Sequence, residues 1–268
     1  MNKVLIRGSI LLSIFFGSWL LLQQIDWVRL LNADFRDKSE YLQDMESKLG
    51  EMMYDDFART NLQIDDSLSV AVLDTLVAKI CRANHIDPRS LKVYLFENEE
   101  VNAFAIPDRQ LLVYSGLIEK ADTAEALCGV LAHEIAHIQK GHVMQSLKRE
   151  IGLSILFSVI TGNSDITVMR EIGKLLSSRA FNREMEREAD LTGLEYLQKA
   201  HIDPEPFAEF MGIIDDDDPV PAFQWMSTHP LPKERKQYLL RQIKKRGAHY
   251  SPVLSQELWK DFKAFFEG

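Results

Sequence analysis

The side chains best suited to chemistry lie in one stretch, residues 133–142, which reads His-Glu-Ile-Ala-His-Ile-Gln-Lys-Gly-His. On a helix, His133 and His137 are four residues apart and lie on one face. Two imidazoles in this position can bind one Zn²⁺, and Glu134 beside them can take a proton from a water molecule. An apolar run, residues 126–132, leads into the motif. Polar groups on a buried helix are costly unless they bind a ligand, so the pattern predicts a buried zinc site.

A catalytic zinc site needs three protein ligands and an open fourth position, so a third ligand must come from elsewhere. The metzincin pattern would require Gly at position 140 and His at position 143, where this chain has Lys140 and Val143. His142 is one residue away from the required place, and on a continuing helix it would point about 100° aside. We interpret His142 as a helix-terminal histidine that interacts with the helix dipole.

A second candidate for the third ligand lies downstream, in the charged stretch 183–190. Glu186 and Asp190 are four residues apart and would share one face of a helix. One carboxylate could bind the metal while the other accepts an N–H from a ligating histidine. Spacing alone is equally compatible with a solvated helix face, but three leucines show that the helix packs on something (Leu191, Leu194 and Leu197).

The pattern of apolar residues predicts an α+β fold that is predominantly helical. A helix is expected over residues 67–84, and the active-site helix is expected from about Thr123 to His142 with Asp122 as its N-cap. Three short strands lie between these helices and predict a small antiparallel sheet. Their expected bounds are Lys92 to Phe96, Asn102 to Ile106 and Gln110 to Tyr114.

Composition restricts the function classes. The 268 residues carry a formal net charge of −9, and no basic stretch alternates with aromatic residues, so we expect no nucleic-acid partner. The two cysteines, Cys81 and Cys128, form no CxxC pattern and no disulfide framework. We interpret them as buried free thiols, and their pairing stays open.

The first 25 residues have the pattern of a targeting segment. Lys3 and Arg7 precede an uncharged stretch from Gly8 to Ile25. We interpret it as a signal anchor that holds the bulk of the chain on the extracytoplasmic side of a membrane, because positive charge stays inside. A cleaved signal peptide, which would give a secreted protein, and a reversed anchor that faces the cytoplasm are the alternatives.

Five motifs occur in a fixed order, and together they resemble a known family. They are Asn102-Ala-Phe-Ala105, Ser115-Gly-Leu117, the run from Val130 to His137, Glu186-Arg-Glu-Ala-Asp190, and Ser227-Thr-His-Pro230 followed by Arg235. Their joint occurrence, over roughly residues 45–245, is similar to the zinc metallopeptidase family of the CAAX prenyl protease and HtpX. The likeness is greatest to its periplasmic, BepA-like peptidase domains.

This resemblance implies a zincin-type (gluzincin) metallopeptidase domain with one Zn²⁺ per chain. His133, His137 and Glu186 would be the zinc ligands, Glu134 the general base, and Asp190 the carboxylate that orients a ligating histidine. His229 would either occupy the fourth site at rest or help to stabilise the oxyanion. Arg235 would be a structural or oxyanion-supporting residue.

The resemblance also implies how a substrate would bind and what it would be. The edge strand formed by Asn102, Ala103, Phe104 and Ala105 would bind an extended peptide by strand addition. The implied function is a zinc-dependent endopeptidase of the cell envelope that cleaves unfolded or misassembled proteins as quality control. The alternative is a membrane-anchored, zinc-binding chaperone or adaptor without proteolysis. The chain departs from the family at Pro107-Asp108-Arg109, where members commonly have Pro-Gly-Gly.

The expected organisation has four segments. They are a signal anchor or signal peptide (1–25), a helical lead-in (26–66), the metallopeptidase domain (67–246) and a C-terminal helix (247–268). The last segment carries an aromatic stripe at helical spacing, which by default indicates core packing, with a docking helix as the alternative.

Overall fold

The computed structural model describes residues 27–152, 181–213, 229, 235–244 and 249–266. The chain divides into two compact units, Met1–Met45 and Glu46–Gly268. Of the first unit, residues 27–45 form helix, and the expected targeting segment, 1–25, lies outside the described residues. Among the described helices, none has the length and apolar character needed to cross a bilayer. The four expected segments remain predictions.

Helices make up most of the described chain, as the sequence predicts. Nine α-helices follow one another in the described residues: α1 (Trp27–Thr60), α2 (Ser67–Ala83), α3 (Ser115–Lys120), α4 (Ala124–Lys140), α5 (His142–Glu150), α6 (Arg183–Lys199), α7 (Glu205–Ile213), α8 (Arg235–Lys244) and α9 (Gln256–Ala264). Helix α4 lies at the centre, in contact with α2, α5, α6 and α7. The chain of the second unit is therefore built around the helix that carries the HExxH motif.

A four-stranded sheet, in the order β1-β2-β4-β3, packs against α4. Its strands are β1 (Leu62–Gln63), β2 (Lys92–Glu97), β3 (Ala103–Ile106) and β4 (Gln110–Tyr114), which confirms the three expected strands. The expectation of an antiparallel sheet is wrong for one pair, because β2 and β4 run parallel while β3 and β4 form an antiparallel hairpin. Strand β4 runs antiparallel to β3 and lies between β3 and β2, where it is parallel to β2.

The part of α1 that belongs to the second unit packs on one face of this sheet. Phe57 lies 5.2 Å from Phe104 of β3, and Tyr54 lies 4.3 Å from Tyr94 of β2 between ring centroids. Gly50 fits against the β3–β4 turn, where a Cβ atom would come within 2.5 Å of the Pro107 carbonyl oxygen. Side chains of the opposite face, which include Ala103 and Ala105, are directed towards α4 by the alternation of the strand.

The β3–β4 hairpin turn contains no glycine, yet two of its residues have a backbone conformation typical of glycine. Asp108 and Arg109 both have positive φ, 64° and 56°, in the left-handed region that glycine adopts most readily. Their side chains compensate through hydrogen bonds, since Lys92 Nζ donates to Asp108 and Arg109 donates to the Ser90 carbonyl oxygen at 3.0 Å. Both positions therefore have the left-handed backbone that glycine adopts most readily, although neither is glycine.

Both ends of α4 differ from their prediction. Its N-cap is Thr123, whose hydroxyl accepts from the Ala126 N–H, and not Asp122. The helix ends at Lys140 because Gly141 adopts a left-handed conformation with φ 66° and donates its N–H to the His137 and Ile138 carbonyls. This is a typical glycine stop signal. The chain then turns and begins α5 at His142, so the expected continuous helix up to His142 is wrong.

The C-terminal helix α9 packs only partly as the aromatic stripe predicts, because Phe265 is 48% exposed. Phe262 is completely buried. Trp259 Nε1 donates to the Asp122 carbonyl oxygen at 3.2 Å, and Lys263 Nζ donates to the Ala121 carbonyl oxygen at 3.2 Å. Helix α9 thereby fastens the short segment that leads into α4.

Candidate metal centre

Helix α4 brings three of the predicted site residues together in the interior. His133, Glu134 and His137 are each 0% exposed. One helical turn separates the two histidines, so their rings point to the same side and their Nε2 atoms lie 3.0 Å apart. An ordinary core helix would have apolar side chains at these positions. Three buried polar side chains on one helix indicate a ligand between them.

Helix α6 contributes the two carboxylates that the sequence suggests. Asn182 caps the helix by accepting from the Met185 N–H, which fixes where its turns begin. Glu186 and Asp190 are then one turn apart and almost fully buried. Glu186 lies 3.5 Å from Nε2 of both His133 and His137. Gly193 allows this approach, because a Cβ atom there would lie 3.2 Å from the backbone nitrogen of His133.

His229 completes a group of four. Its Nδ1 atom lies 2.9 Å from Glu186 Oε1 and 3.2 Å from His133 Nε2. The candidate ligand atoms of His133, His137, Glu186 and His229 all lie within 4.8 Å of one another. In a tetrahedral zinc site with bonds of about 2.0–2.1 Å, neighbouring ligand atoms are about 3.4 Å apart. The observed separations fit such an ion, and three imidazoles with one carboxylate are ligands that zinc prefers.

Asp190 and Arg235 lie behind this group. Asp190 Oδ1 is 3.1 Å from His133 Nδ1, the ring nitrogen that faces away from the cluster. The Arg235 guanidinium donates to the same carboxylate, and its Nη1 lies 3.9 Å from Glu186 Oε2. Arg235 is 2% exposed. Of the two expectations for Arg235, these contacts favour the structural one, a buried cation that neutralises the carboxylates of α6.

The electrostatics of the group differ from one histidine to the next. Burial disfavours the cation of His133, but hydrogen bonds to Asp190 and Glu186 outweigh it and raise the pKa of His133 to about 9. Burial and the neighbouring charge of His133 hold the pKa of His137 well below its ordinary value. Burial would raise the pKa of Glu186, yet the nearby His229 and His133 keep it well below the usual range. The cluster thus favours an ionised carboxylate and a positive charge beside it.

Two further residues, Phe181 and His142, contact His137 in ways that residue spacing did not predict. Phe181 stacks on His137, with ring centroids 3.9 Å apart and an angle of 23° between the planes. His142 was expected to interact with the helix dipole and to point aside, but the turn at Gly141 brings its Nδ1 to 3.0 Å from His137 Nδ1. The glycine before His142 is the signal that could have revealed this. Phe181 precedes the N-cap of α6, and no spacing rule relates it to His137.

The predicted substrate strand lies at one edge of the sheet. Within the described residues, β3 pairs with β4 alone, so its other side forms the edge. Ala103, Phe104 and Ala105 are in β3, and Asn102 immediately precedes it. The four side chains are buried, which leaves the backbone of the strand as the group that an extended peptide could pair with.

The buried HExxH helix and the carboxylate helix packed against it are the arrangement of a metallopeptidase. The sequence pattern of Peptidase family M48 matches residues 68–243, and the chain belongs to this family. Members of the family are metal-dependent proteases, and within the described residues the four-residue group could hold the metal.

Curated relatives agree with this assignment at low identity. The chain is 24% identical over 250 residues to the beta-barrel assembly-enhancing protease of Escherichia coli (strain K12), which covers 83% of this chain and 50% of that protein. It is 28% identical over 159 residues to the mitochondrial metalloendopeptidase OMA1 of Arabidopsis thaliana, covering 58% of this chain and 32% of the relative. Human mitochondrial metalloendopeptidase OMA1 is 28% identical over 167 residues, covering 56% and 32%. The chain spans about half the length of the first of these relatives.

Proposed function

We propose that the chain is a zinc-dependent endopeptidase that cleaves unfolded or misassembled proteins outside the cytoplasm. The observation that carries the proposal is the buried group of His133, His137 and Glu186 beside Glu134. Two imidazoles and one carboxylate are a known catalytic zinc set, which leaves a fourth position for the reaction. Zinc in this position would act as a Lewis acid and would lower the pKa of water to about 7.

Glu134 is the general base in this proposal. It follows His133 directly and is fully buried, so its carboxylate has few alternatives to a role inside the site. Glu134 takes the proton of the attacking water and delivers it to the amine that leaves. Asp190 accepts the Nδ1–H of His133 and keeps its Nε2 directed into the cluster. Arg235 neutralises Asp190 and Glu186, so that the two carboxylates can remain charged in the interior.

His229 closes the site at rest in this proposal. Its Nδ1 is close to Glu186 and His133, where it could serve as a fourth ligand, and its Nε2 lies 3.2 Å from Glu134 Oε1. The His229 imidazole would thus fill the open coordination position and also contact the general base, Glu134. The role in oxyanion stabilisation would require this ring to move away from Glu134 first. We therefore favour latency as the resting role of His229.

Substrates bind as extended chains along the edge of β3. Backbone pairing asks little of the substrate sequence, so it suits unfolded chains that expose their backbone. The E. coli relative is named for beta-barrel assembly, and this supports a quality-control role in the cell envelope. Residues 1–25 would anchor the protein there, or would be removed to give a secreted form. A C-terminal reporter fusion tests the orientation, and activity of a cytoplasmic reporter would contradict it.

A second candidate is a zinc-binding chaperone or adaptor without proteolysis. The four-residue group favours it, because a zinc ion held by four protein side chains is the arrangement of structural sites. The buried Glu134 carboxylate argues for the peptidase, since a structural site needs no base beside it.

The deciding experiment is casein cleavage by the purified 268-residue chain, with bound zinc quantified. Glu134→Gln should keep zinc and lose about 10²- to 10⁴-fold in rate, because it removes the base alone. His229→Ala should be more active than the wild type, whereas the exposed His249→Ala serves as its control. A chelator should abolish cleavage, and added zinc should restore it. Cleavage unaffected by Glu134→Gln would sink the mechanism, and inactivity of every variant with zinc bound would favour the chaperone.

A further inference from the structure

The two histidines of α4 are held from behind in different ways. His133 has a buried carboxylate, Asp190, at its Nδ1. Among the described residues, no carboxylate lies at Nδ1 of His137, which instead meets another imidazole, with His142 Nδ1 at 3.0 Å from His137 Nδ1. His142 is 2% exposed, and its other nitrogen, Nε2, lies 3.3 Å from Glu188 Oε2. The second oxygen of Glu188 is 2.8 Å from Lys140 Nζ.

The proton positions along this series of contacts, from His137 through His142 to Glu188, follow from the zinc site proposed above. If Nε2 of His137 faces the metal, the ring proton of His137 is on Nδ1. That N–H donates to His142 Nδ1, which must then be an acceptor without a hydrogen. A neutral His142 therefore carries its proton on Nε2 and donates it to Glu188. A doubly protonated His142 would place two donors against each other.

We propose that His142 and Glu188 position the ligand His137 by fixing the tautomers of both imidazoles. Glu188 selects the Nε2–H form of His142, and that form presents an acceptor to His137. Lys140 holds the other oxygen of Glu188, so the carboxylate stays in place although it is half-exposed. Gly141 lies between Lys140 and His142, and its turn allows both of these residues to contact Glu188. The inference rests on the proposed zinc site and adds two positioning residues to it.

The zinc dissociation constant of the full chain, measured by competition with a chromophoric chelator, tests this inference. His142→Phe keeps a ring of similar shape but offers no acceptor, and should weaken zinc binding about 10- to 100-fold. His142→Gln should recover most of the loss, since an amide oxygen can accept from His137 and an amide N–H can donate to Glu188. A purely structural role would predict the opposite order, because phenylalanine fills the buried space better.

Glu188 has a matched control on the same helix. Glu188 and Glu195 are both about half exposed, at 50% and 49%, and each lies close to a lysine. Glu188→Ala should weaken zinc binding by several-fold to about tenfold, at the lower end of the usual range for residues behind a metal ligand. Glu195→Ala should leave the zinc affinity unchanged. Equal affinities in these two variants would overturn the role of Glu188.

Nitrogen NMR of the zinc-loaded protein provides a signature that packing alone would not give. His142 should show a hydrogen-free Nδ1 and a protonated Nε2, and the reversed pattern would overturn the inference. Zinc affinity of His142→Phe equal to that of the wild type would overturn it as well, while leaving the proposed function intact. A wild-type chain that binds no zinc would remove both together.

Discussion

The two halves of helix α4 are equally buried but have opposite surroundings. In the first half, Leu127, Cys128, Val130 and Leu131 are 0% exposed among apolar neighbours, and Phe207 of α7 fits against Gly129. In the second half, the histidines and the glutamate of the HExxH motif are also 0% exposed, yet they face charged groups. Each half meets its neighbouring helix at a glycine, Gly129 in α4 itself and Gly193 in α6.

The contrast shows that burial stabilises one half and burdens the other. Each buried leucine or valine contributes about 1.5–3 kcal/mol through removal from water. Buried carboxylates and imidazoles cost free energy unless they are paired or bind an ion. The same helix thus raises the pKa of the Cys128 thiol by burial and raises the pKa of His133 by its carboxylate contacts. Burial in the first half therefore contributes to the free energy of unfolding, whereas burial in the second half is tolerated because its charged groups are paired.

The largest expected effect comes from removing the buried cation of the polar half. Arg235→Gln would leave Asp190 and Glu186 without their guanidinium, and should lower the free energy of unfolding by about 3–5 kcal/mol. Arg241→Gln, an exposed arginine of the same helix, is the control and should change it by less than about 0.5 kcal/mol. Urea unfolding of both variants measures the difference. Similar small changes would show that the polar half does not depend on Arg235.

A smaller effect is expected in the apolar half. In Gly129→Ala, the new Cβ would lie 2.2 Å from Phe207 Cβ, so the helices must move apart. Overpacking of this kind costs about 1–3 kcal/mol, while bound zinc should stay unchanged. The double variant Gly129→Ala, Phe207→Gly should be less destabilised than the sum of the two single changes, because glycine at position 207 removes the Cβ atom that the new methyl group would meet. Zinc loss in Gly129→Ala would break the separation of the two halves.

Gly193→Ala should have the opposite pattern of effects, with little change in stability and weaker zinc binding. Its Cβ would lie 3.2 Å from the backbone of His133, and neither backbone can yield without a shift of the helices. The gain in helix propensity, up to about 1 kcal/mol, offsets much of the strain. We expect a stability change below about 1 kcal/mol and a loss of zinc affinity below about tenfold, because Glu186 moves with its helix. Chelator competition and urea unfolding, run on the same sample, check both values.

The smallest effect concerns the thiols. Burial raises the pKa of Cys81 from its ordinary 9.0 to about 11, and it raises that of Cys128 as well. At pH 8 the thiolate fraction of Cys81 is on the order of one in a thousand, so a disulfide reagent should react slowly with the native protein. Because the folded pKa is raised, the stabilisation from neutral thiols is present below pH 9 and declines as the pH rises through about 11. Two rapid equivalents in the native state would contradict this; two in denaturant are expected.

The sequence predicts local features well and long-range pairings poorly. The bounds of strand β4 were predicted correctly, because its short apolar run and the adjoining turn are local signals. The parallel pairing of β2 with β4 was not, since the strand pattern does not say which strand lies between which. Both thiols are buried and free, as expected. His133 and His137 follow from helix geometry alone, whereas Glu186 and His229 needed the family resemblance.

The contact between His142 and Glu188 illustrates what local sequence features do not predict. A continuing helix gives His142 the wrong direction, and Gly141 was the local signal against it. Glu188 meets His142 across two helices, so no spacing rule could relate them. The structure reveals such contacts because it fixes how the helices cross.

The left-handed turn at Gly141 has a consequence for how this region can vary among relatives. The interval from His137 to His142 is set by one helix end, so an inserted or deleted residue there would rotate His142 away from its neighbour. Glu186, by contrast, is positioned by its own helix and by the Asn182 cap, independently of that interval. Chains of this family that keep the glycine are expected to keep the histidine after it, and those that have lost one should have lost the use of the other.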